Sequence, residues 1–214
     1  MIDENQVKTI VAEVLKCIDL RGRIKSGSVP CGVSNRHIHV SQADLETLFG
    51  KGYTLKEMKP LSQPAQFAAE ETVLLVGPKG SIEKCRILGP VRPSTQVEIS
   101  MTDSFKLGVK PLVKDSGDTA KTPGCVVVGP AGAVTLKEGV IVAARHIHAS
   151  TKDAAQLGLK DLDRVSVKTG GVKSVVFNNV LVRVSDKFAL DFHIDTDEAN
   201  AAGIKNGDMV EIIA

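Results

Sequence analysis

The sequence predicts a mainly β protein: two small antiparallel β-barrels capped by short α-helices, with an amphipathic helix in front. Three observations carry that expectation. From Val33 onward the chain breaks into short apolar stretches punctuated by glycine and proline, with few helical runs, which is the pattern of barrels and sandwiches. One plan of strand, polar cap, two helical turns and a glycine stop recurs three times, as expected of a fold built from related units. All five histidines lie inside those recurring segments.

Taken in order, the elements follow from periodicity and punctuation. Val7, Ile10, Val11, Val14, Leu15 and Ile18 recur at helical spacing and predict an amphipathic helix within residues 1–20. Asp3, Glu4 and Glu13 interrupt any long apolar run and no small-residue cleavage site follows, so a secretory signal is not expected. Such a helix either packs on the core or docks in a partner's groove. Residues 21–29, within Arg21-Gly-Arg-Ile-Lys-Ser-Gly-Ser-Val-Pro30, have linker composition. Thr72 to Val76 and Ser81 to Leu88, joined by Gly-Pro-Lys-Gly, predict a hairpin. That turn lacks the spacing and the Lys-Ser/Thr of a phosphate loop. Val126 to Val134 repeats the arrangement, and further strands are expected at 139–144, 164–168, 175–184 and 208–213.

The repeats read His37-Ile-His-Val-Ser41 to Gly50, His146-Ile-His-Ala-Ser150 to Gly158, and His193-Ile-Asp195 to Gly203. Ser41, Ser150 and Asp195 are the expected helix caps, with Asp44, Asp153 and Glu198 three residues on in capping-box positions. The segments after Gly158 and Gly203 return as strands, and the histidine strands are expected to meet where the two units join.

Composition narrows the function. The chain of 214 residues, long enough for two small cores, has 27 basic and 25 acidic residues and no basic block, which argues against a nucleic-acid or anionic-membrane binder. No apolar run is long enough to span a bilayer. Cys17, Cys31, Cys85 and Cys125 form no Cys-x-x-Cys pair, predicting neither a disulfide framework nor a thiolate zinc knuckle, and a reducing, intracellular setting.

The histidines carry the chemistry. In a strand, residues two apart face one side, so each His-x-His pair aims two imidazoles, about 7 Å apart at Cβ, at one point. Neutral imidazoles with at most one carboxylate suit zinc, although iron and copper take the same donors. Five histidines and one acid would supply two three-ligand sites: His37 and His39 completed by an acid, and His146 and His148 completed by His193. For the acid, Glu98 in Ser94-Thr-Gln-Val-Glu-Ile-Ser100 is the first candidate and Asp195 the second. A purely structural double-zinc site would show the same pattern. Arg92, in the proline-bounded Gly89-Pro-Val-Arg-Pro, is either a stiffly held phosphate fork or a solvated surface arginine. Arg36 and Arg145 point away from the histidine faces and are expected to pair with acids. A cupin-type oxygenase would use Asp44 after the first histidine pair, but its glycine pattern is absent. A serine or cysteine hydrolase would lack a free histidine base.

Ser34-Asn-Arg-His-Ile-His-Val-Ser41, Arg92-Pro-Ser-Thr-Gln-Val-Glu-Ile-Ser100, Val142-Ala-Ala-Arg-His-Ile-His and His193-Ile-Asp-Thr-Asp-Glu-Ala-Asn200 together closely resemble the PduL-type phosphate acyltransferases, the propanediol-utilisation phosphotransacylases, from about Pro30 to the C-terminus. The resemblance implies two helix-capped barrels, one from residues 30–35 and 144–214 and the other from 36–143, with the active site at their junction. It implies two zinc ions per chain, one on His37, His39 and Glu98 and the other on His146, His148 and His193, with Arg92 on phosphate. Positions contacting coenzyme A fall on Ser34, Lys59, Arg86, Leu88, His193 and Asn200. The implied reaction moves a short acyl group, propanoyl or acetyl, between coenzyme A and inorganic phosphate. The same resemblance gives the N-terminal helix a role as a microcompartment-targeting peptide, placing the protein in a bacterial microcompartment lumen or free in the cytoplasm, with shell or core proteins as partners. Oligomeric state stays open between monomer and homodimer. The rivals are a two-zinc hydrolase of phosphate or thioester substrates and a non-enzymatic zinc-stabilised microcompartment module.

Overall fold

Asp3 opens the first helix with a capping box, its side chain accepting from Gln6 N at 2.8 Å while Gln6 Oε1 accepts from Asp3 N at 3.0 Å. The computed structural model describes residues 3–213. Met1 and Ile2, at the start of the expected first helix, and Ala214, the last residue of the barrel expected from 144–214, lie outside the described residues, as do the side chains of Cys17 and Arg21.

Helix α1 (Glu4–Arg23) leaves its apolar stripe bare, with exposures from 47% at Val7 to 61% at Ile18. Core packing begins only at Leu20 and Ile24, against the barrel. The expected linker at 21–29 shrinks to three residues, because α1 runs on to Arg23 and strand β1 (Gly27–Ser34) already starts at Gly27. Arg23 holds the helix end in place by two bonds to the Asp163 carboxylate, at 2.9 and 3.1 Å, and one to the Gly158 carbonyl. No helix among the described residues is long and apolar enough to cross a membrane.

Two β units follow. One is a closed six-stranded barrel in the order β1, β14 (Asp191–Asp195), β11 (His146–Ala149), β13 (Val176–Val184), β12 (Arg164–Lys168), β15 (Met209–Ile213). Alternation along these strands sends Ile147, Val165, Val167, Val180, Val182, Phe192, Ile194 and Val210 into one core. The other unit is a nine-stranded sheet: β7 (Leu112–Lys114), β10 (Val140–Ala143), β6 (Gln96–Glu98), β2 (His37–His39), β5 (Ser81–Gly89), β4 (Phe67–Val76), β8 (Val126–Val128), β9 (Ala133–Thr135), with β3 (Glu57–Pro60) on β4. Its own core holds Ile38, Leu45, Leu75, Ile87, Val97 and Val127. The mainly β expectation and one helix-capped barrel stand, but strand pairing closes only one unit. Nor is either unit purely antiparallel, since β1 with β14, β11 with β13, and β2 with β5 run parallel. The reason is connectivity: each of these pairs joins strands separated by a helix and at least one further strand, the long connection that parallel pairing needs.

The expected hairpin is present, with β4 starting five residues earlier than its apolar run suggests because Phe67 and Ala68 still pair with Gly89 and Leu88. At its turn Gly77 is required, since a Cβ there would sit 2.3 Å from the Leu107 carbonyl oxygen. That carbonyl ends helix α3 (Met101–Leu107), whose existence reveals a fourth copy of the repeat. Gln96-Val-Glu98-Ile-Ser100 leads into α3 and a left-handed Gly108, just as β2 leads into α2 (Gln42–Phe49), β11 into α4 (Thr151–Leu157) and β14 into α5 (Thr196–Ala202). Full capping boxes form at Ser150 and Asp195. Ser41 caps α2 through Asp44 N alone, because the Asp44 carboxylate is taken by Thr95 Oγ1, which itself accepts from Ser41 N.

Candidate active site

The four strand-helix units pair off into two clusters built to one plan. In the sheet, β2 and β6 run antiparallel with His37 opposite Glu98 and His39 opposite Gln96. In the barrel, β11 and β14 run antiparallel with His146 opposite His193 and His148 opposite Asp191. The intervening Ile38, Val97, Ile147 and Phe192 are all buried in the two cores, so the polar residues of each strand must face away from them. Arg36 and Arg145, one position before each histidine pair, are taken by acids at equivalent places: Arg36 Nε reaches Asp103 at 2.9 Å and Arg145 Nη1 reaches Glu198 at 2.7 Å. Both acids are the third residues of the helices that follow Ser100 and Asp195, so the two units share even their supporting ion pairs.

In the sheet cluster, His37, His39 and Glu98 offer ligand atoms all within 4.8 Å of one another. His37 Nδ1 is engaged with the Asn35 carbonyl at 2.8 Å, leaving Nε2 3.4 Å from Glu98 Oε2. Two donors on one tetrahedral zinc lie about 3.4 Å apart. In the barrel cluster the ring centroids of His146, His148 and His193 are 4.7, 5.0 and 5.1 Å apart. His146 Nδ1 is again held by a backbone carbonyl, that of Ala144 at 2.8 Å. Asp195, the second candidate for the acidic ligand, caps α5 instead.

Burial sets the charge state of these groups. It holds His39 down to about 3 and His146 down to about 4, with neighbouring imidazoles pushing the same way, so both are neutral donors at physiological pH, the form a metal needs. Burial works against the charge on Glu98, but His37, His39 and the Ser116 hydroxyl outweigh it and keep the carboxylate ionised, well below the usual range. Burial also opposes a charge on His37, yet the adjacent Glu98 carboxylate wins and raises it.

The residues fit divalent cations for a further reason. Among the described residues, the buried side-chain polar atoms with no hydrogen-bond partner are His39 Nδ1, His148 Nδ1 and His193 Nε2. Leaving such atoms unpaired costs about 1–3 kcal/mol each, and all three belong to the two clusters. An ion bound in each cluster would give His39 Nδ1 and His148 Nδ1 their partner, while His193 Nε2 lies 3.2 Å from the Asp191 carboxylate.

Both clusters open onto one cavity of about 710 Å3 lined from both units, a volume suited to a small-molecule substrate. Arg92 lines it, with Nη1 3.3 Å from Ser116 Oγ. Burial and the nearby Arg183 both lower its pKa, against the pull of Glu98, though a guanidinium keeps its charge.

A family profile described as Phosphate propanoyltransferase matches residues 30–205, a span that holds both clusters and the cavity. The chain belongs to the phosphate propanoyltransferase family. Curated relatives of that name include proteins of Thermotoga maritima, 56% identical over 190 residues covering 88% of this chain and 90% of the relative, and of Rhodopseudomonas palustris, 53% identical over 184 residues covering 86% and 81%. A relative from Lachnoclostridium phytofermentans is 49% identical over 214 residues, 99% of this chain and 100% of its own. As a phosphate propanoyltransferase family member, the protein is an acyltransferase.

Of the family positions, Ser34, Lys59, Arg86, Leu88 and His193 line the cavity. Arg86 spends Nη1 on the carbonyls of Ala69 and Glu70, at 2.9 and 2.8 Å, which fixes its stem. Asn200 is exposed on α5, outside the lining, with its carbonyl accepting from Lys173 at 3.1 Å. Sequence reasoning overlooked Gln96, Ser116, Arg183 and Asp191. Arg183 lies in parallel register with His148 and lines the same cavity. The Val180-Leu-Val-Arg-Val184 alternation places it on the site face, once Val180 and Val182 are recognised as core. Ser116 comes from an irregular loop, and no local pattern points to it.

Proposed function

We propose that this acyltransferase reversibly moves a short acyl group, propanoyl or acetyl, between coenzyme A and inorganic phosphate at a two-zinc site. The observation that carries the zinc assignment is a pair of unpartnered buried imidazole nitrogens, His39 Nδ1 and His148 Nδ1, one in each cluster beside one cavity. His37, His39 and Glu98 hold one ion, and His146, His148 and His193 hold the other. Bound there, zinc supplies Lewis-acid charge that steadies a thiolate and a developing oxyanion at neutral pH.

The protein's own groups do the rest. Arg92 and Arg183 bring two guanidinium groups to the cavity from the two units, a match for the two charges of phosphate. Ser34, Lys59, Arg86 and Leu88 form the wall for coenzyme A, with Asn200 beyond its rim. With both reactants seated, a phosphate oxygen attacks the thioester carbonyl carbon, the C–S bond breaks, and coenzyme A leaves as thiolate with the acyl group on phosphate. Seating them together replaces a bimolecular encounter by a local one. No acyl-enzyme is needed, and the three cysteines whose side chains are described are poor nucleophiles: burial pushes the thiols of Cys31 and Cys85 up to about 12 and that of Cys125 up to about 11. Release of free thiol from propanoyl-coenzyme A is expected to depend on phosphate and to saturate with it. A thiol release indifferent to phosphate would instead make the protein a two-zinc hydrolase.

The uncovered stripe of α1 supports a second part of the proposal, that this helix docks the enzyme to shell or core proteins of a bacterial microcompartment. Its six apolar residues from Val7 to Ile18 are each about half exposed or more, and among the described residues the helix is tied to the barrel at its C-terminal end, through Asp19 to Lys160 at 3.6 Å, Arg23 to Asp163 and the packing of Leu20. Deleting residues 1–20 is expected to leave the specific activity unchanged and to abolish co-purification with microcompartments. A truncated enzyme that still co-purifies refutes this role.

A further inference from the structure

The shared plan of the two clusters has an outer layer. Gln96 and Asp191 occupy one place in it: each lies two residues before the third donor of its cluster, on the same strand face, opposite the second histidine of the pair. Both are buried, at 2% and 3% exposure. Gln96 donates Nε2 to Glu98 Oε1 at 2.6 Å, so in the sheet an amide N–H steadies an anionic donor. An imidazole needs the opposite partner, an acceptor for its ring N–H. Asp191 is an acceptor, and its Oδ2 lies 3.2 Å from His193 Nε2, although not in hydrogen-bond alignment. The outer residue thus changes polarity together with the donor it faces: amide with carboxylate, carboxylate with imidazole.

Asp191 is itself held from the other unit. Ser62, between β3 and β4 of the sheet, donates Oγ to Asp191 Oδ2 at 2.5 Å. The next residue, Gln63, exchanges two bonds with Ala189 at 3.0 and 3.2 Å, clamping the same loop against the start of β14. Gly32 leaves room for the carboxylate, since a Cβ there would come within 2.9 Å of Asp191 Oδ2. The carboxylate is thus held by a hydroxyl from the sheet unit and packed against the backbone of β1.

We propose that Asp191 is a positioning residue for the barrel's metal site: fixed by Ser62 across the two units, it sets the ring orientation and protonated nitrogen of His193, as Gln96 orients Glu98. The inference rests on the reading of both clusters as zinc sites. It makes tight binding of the barrel ion depend on the seating of the sheet's loop against the barrel.

The test is zinc content and zinc affinity of the full chain, read by elemental analysis and by competition with a chromogenic chelator. Asp191→Asn keeps the shape and an acceptor for Ser62 but removes the charge. It is expected to weaken one of two zinc ions by roughly 10- to 100-fold while the other binds as in the wild type. Asp191→Glu recovers part of the loss. Ser62→Ala, at an exposed loop position, weakens the same ion by less and leaves the melting temperature of the metal-free protein unchanged. Wild-type affinity for both ions in Asp191→Asn overturns the proposal, and so does a loss as complete as in His193→Ala, which would make Asp191 a direct ligand. A wild-type chain that binds no zinc overturns the metal reading together with it, and the two failures are told apart by that control.

Discussion

Removal of metal with a strong chelator is expected to lower phosphate-dependent thiol release by roughly a thousandfold, because a Lewis acid at such a site supplies several kcal/mol and each 1.4 kcal/mol is tenfold in rate. Zinc added back to the desalted protein should restore it. His193→Ala and Glu98→Ala should each reproduce the loss, one from either cluster, and add-back should not rescue them. The expectation follows from burial: both clusters sit in strands whose alternate residues form the cores, so neither can relax to hydrate its unpaired nitrogens. The chelated protein should also melt at a lower temperature, since an ion bound only by the folded chain adds its binding free energy to stability. A metal-free sample with the full rate would remove the basis of the proposed mechanism.

Arg92→Ala is expected to raise the KM for phosphate by roughly 10- to 100-fold, the equivalent of losing charged hydrogen bonds worth about 1.5–3 kcal/mol, with little change in the KM for acyl-coenzyme A. Arg92→Lys should recover only part of this, since an ammonium cannot offer the planar fork. The fold should tolerate both changes, because the side chain makes one 3.3 Å bond to Ser116 Oγ. Initial rates across a phosphate series decide it. An unchanged phosphate KM in Arg92→Ala would return that arginine to the surface role its loop equally allowed.

The histidine pairs were legible because strand alternation is local: His37-Ile-His and His146-Ile-His declare both a buried isoleucine and a common face for the imidazoles without reference to anything distant. The fourth repeat was harder to see. Gln96-Val-Glu98-Ile-Ser100 carries the same cap, with Asp103 and Gly108 at the same offsets, but lacks a histidine to attract notice. For the same reason Gln96 and Asp191 carry no local signal, since their equivalence shows only when four copies are set in two antiparallel pairs. The linker reading failed at Arg23 for a long-range reason: Asp163, far along the chain, extends the helix by holding a residue whose local surroundings favour a break.

Residue pattern alone thus pointed to the class of fold, the amphipathic first helix, the caps and stops of three short helices and the five histidines as candidate donors with Glu98 or Asp195 as the acid, all of which depend on spacings of a few residues and on side-chain chemistry. Folding in three dimensions decided the rest: that pairing closes one unit into a barrel and joins the strands of the other into a nine-stranded sheet, that Arg183 and Ser116 join Arg92 at the cavity, and that Ser62 holds Asp191 from across the molecule. Those outcomes depend on contacts between segments far apart in the chain, 129 positions for Ser62 and Asp191, where register and packing, rather than any local period, choose which side chains meet.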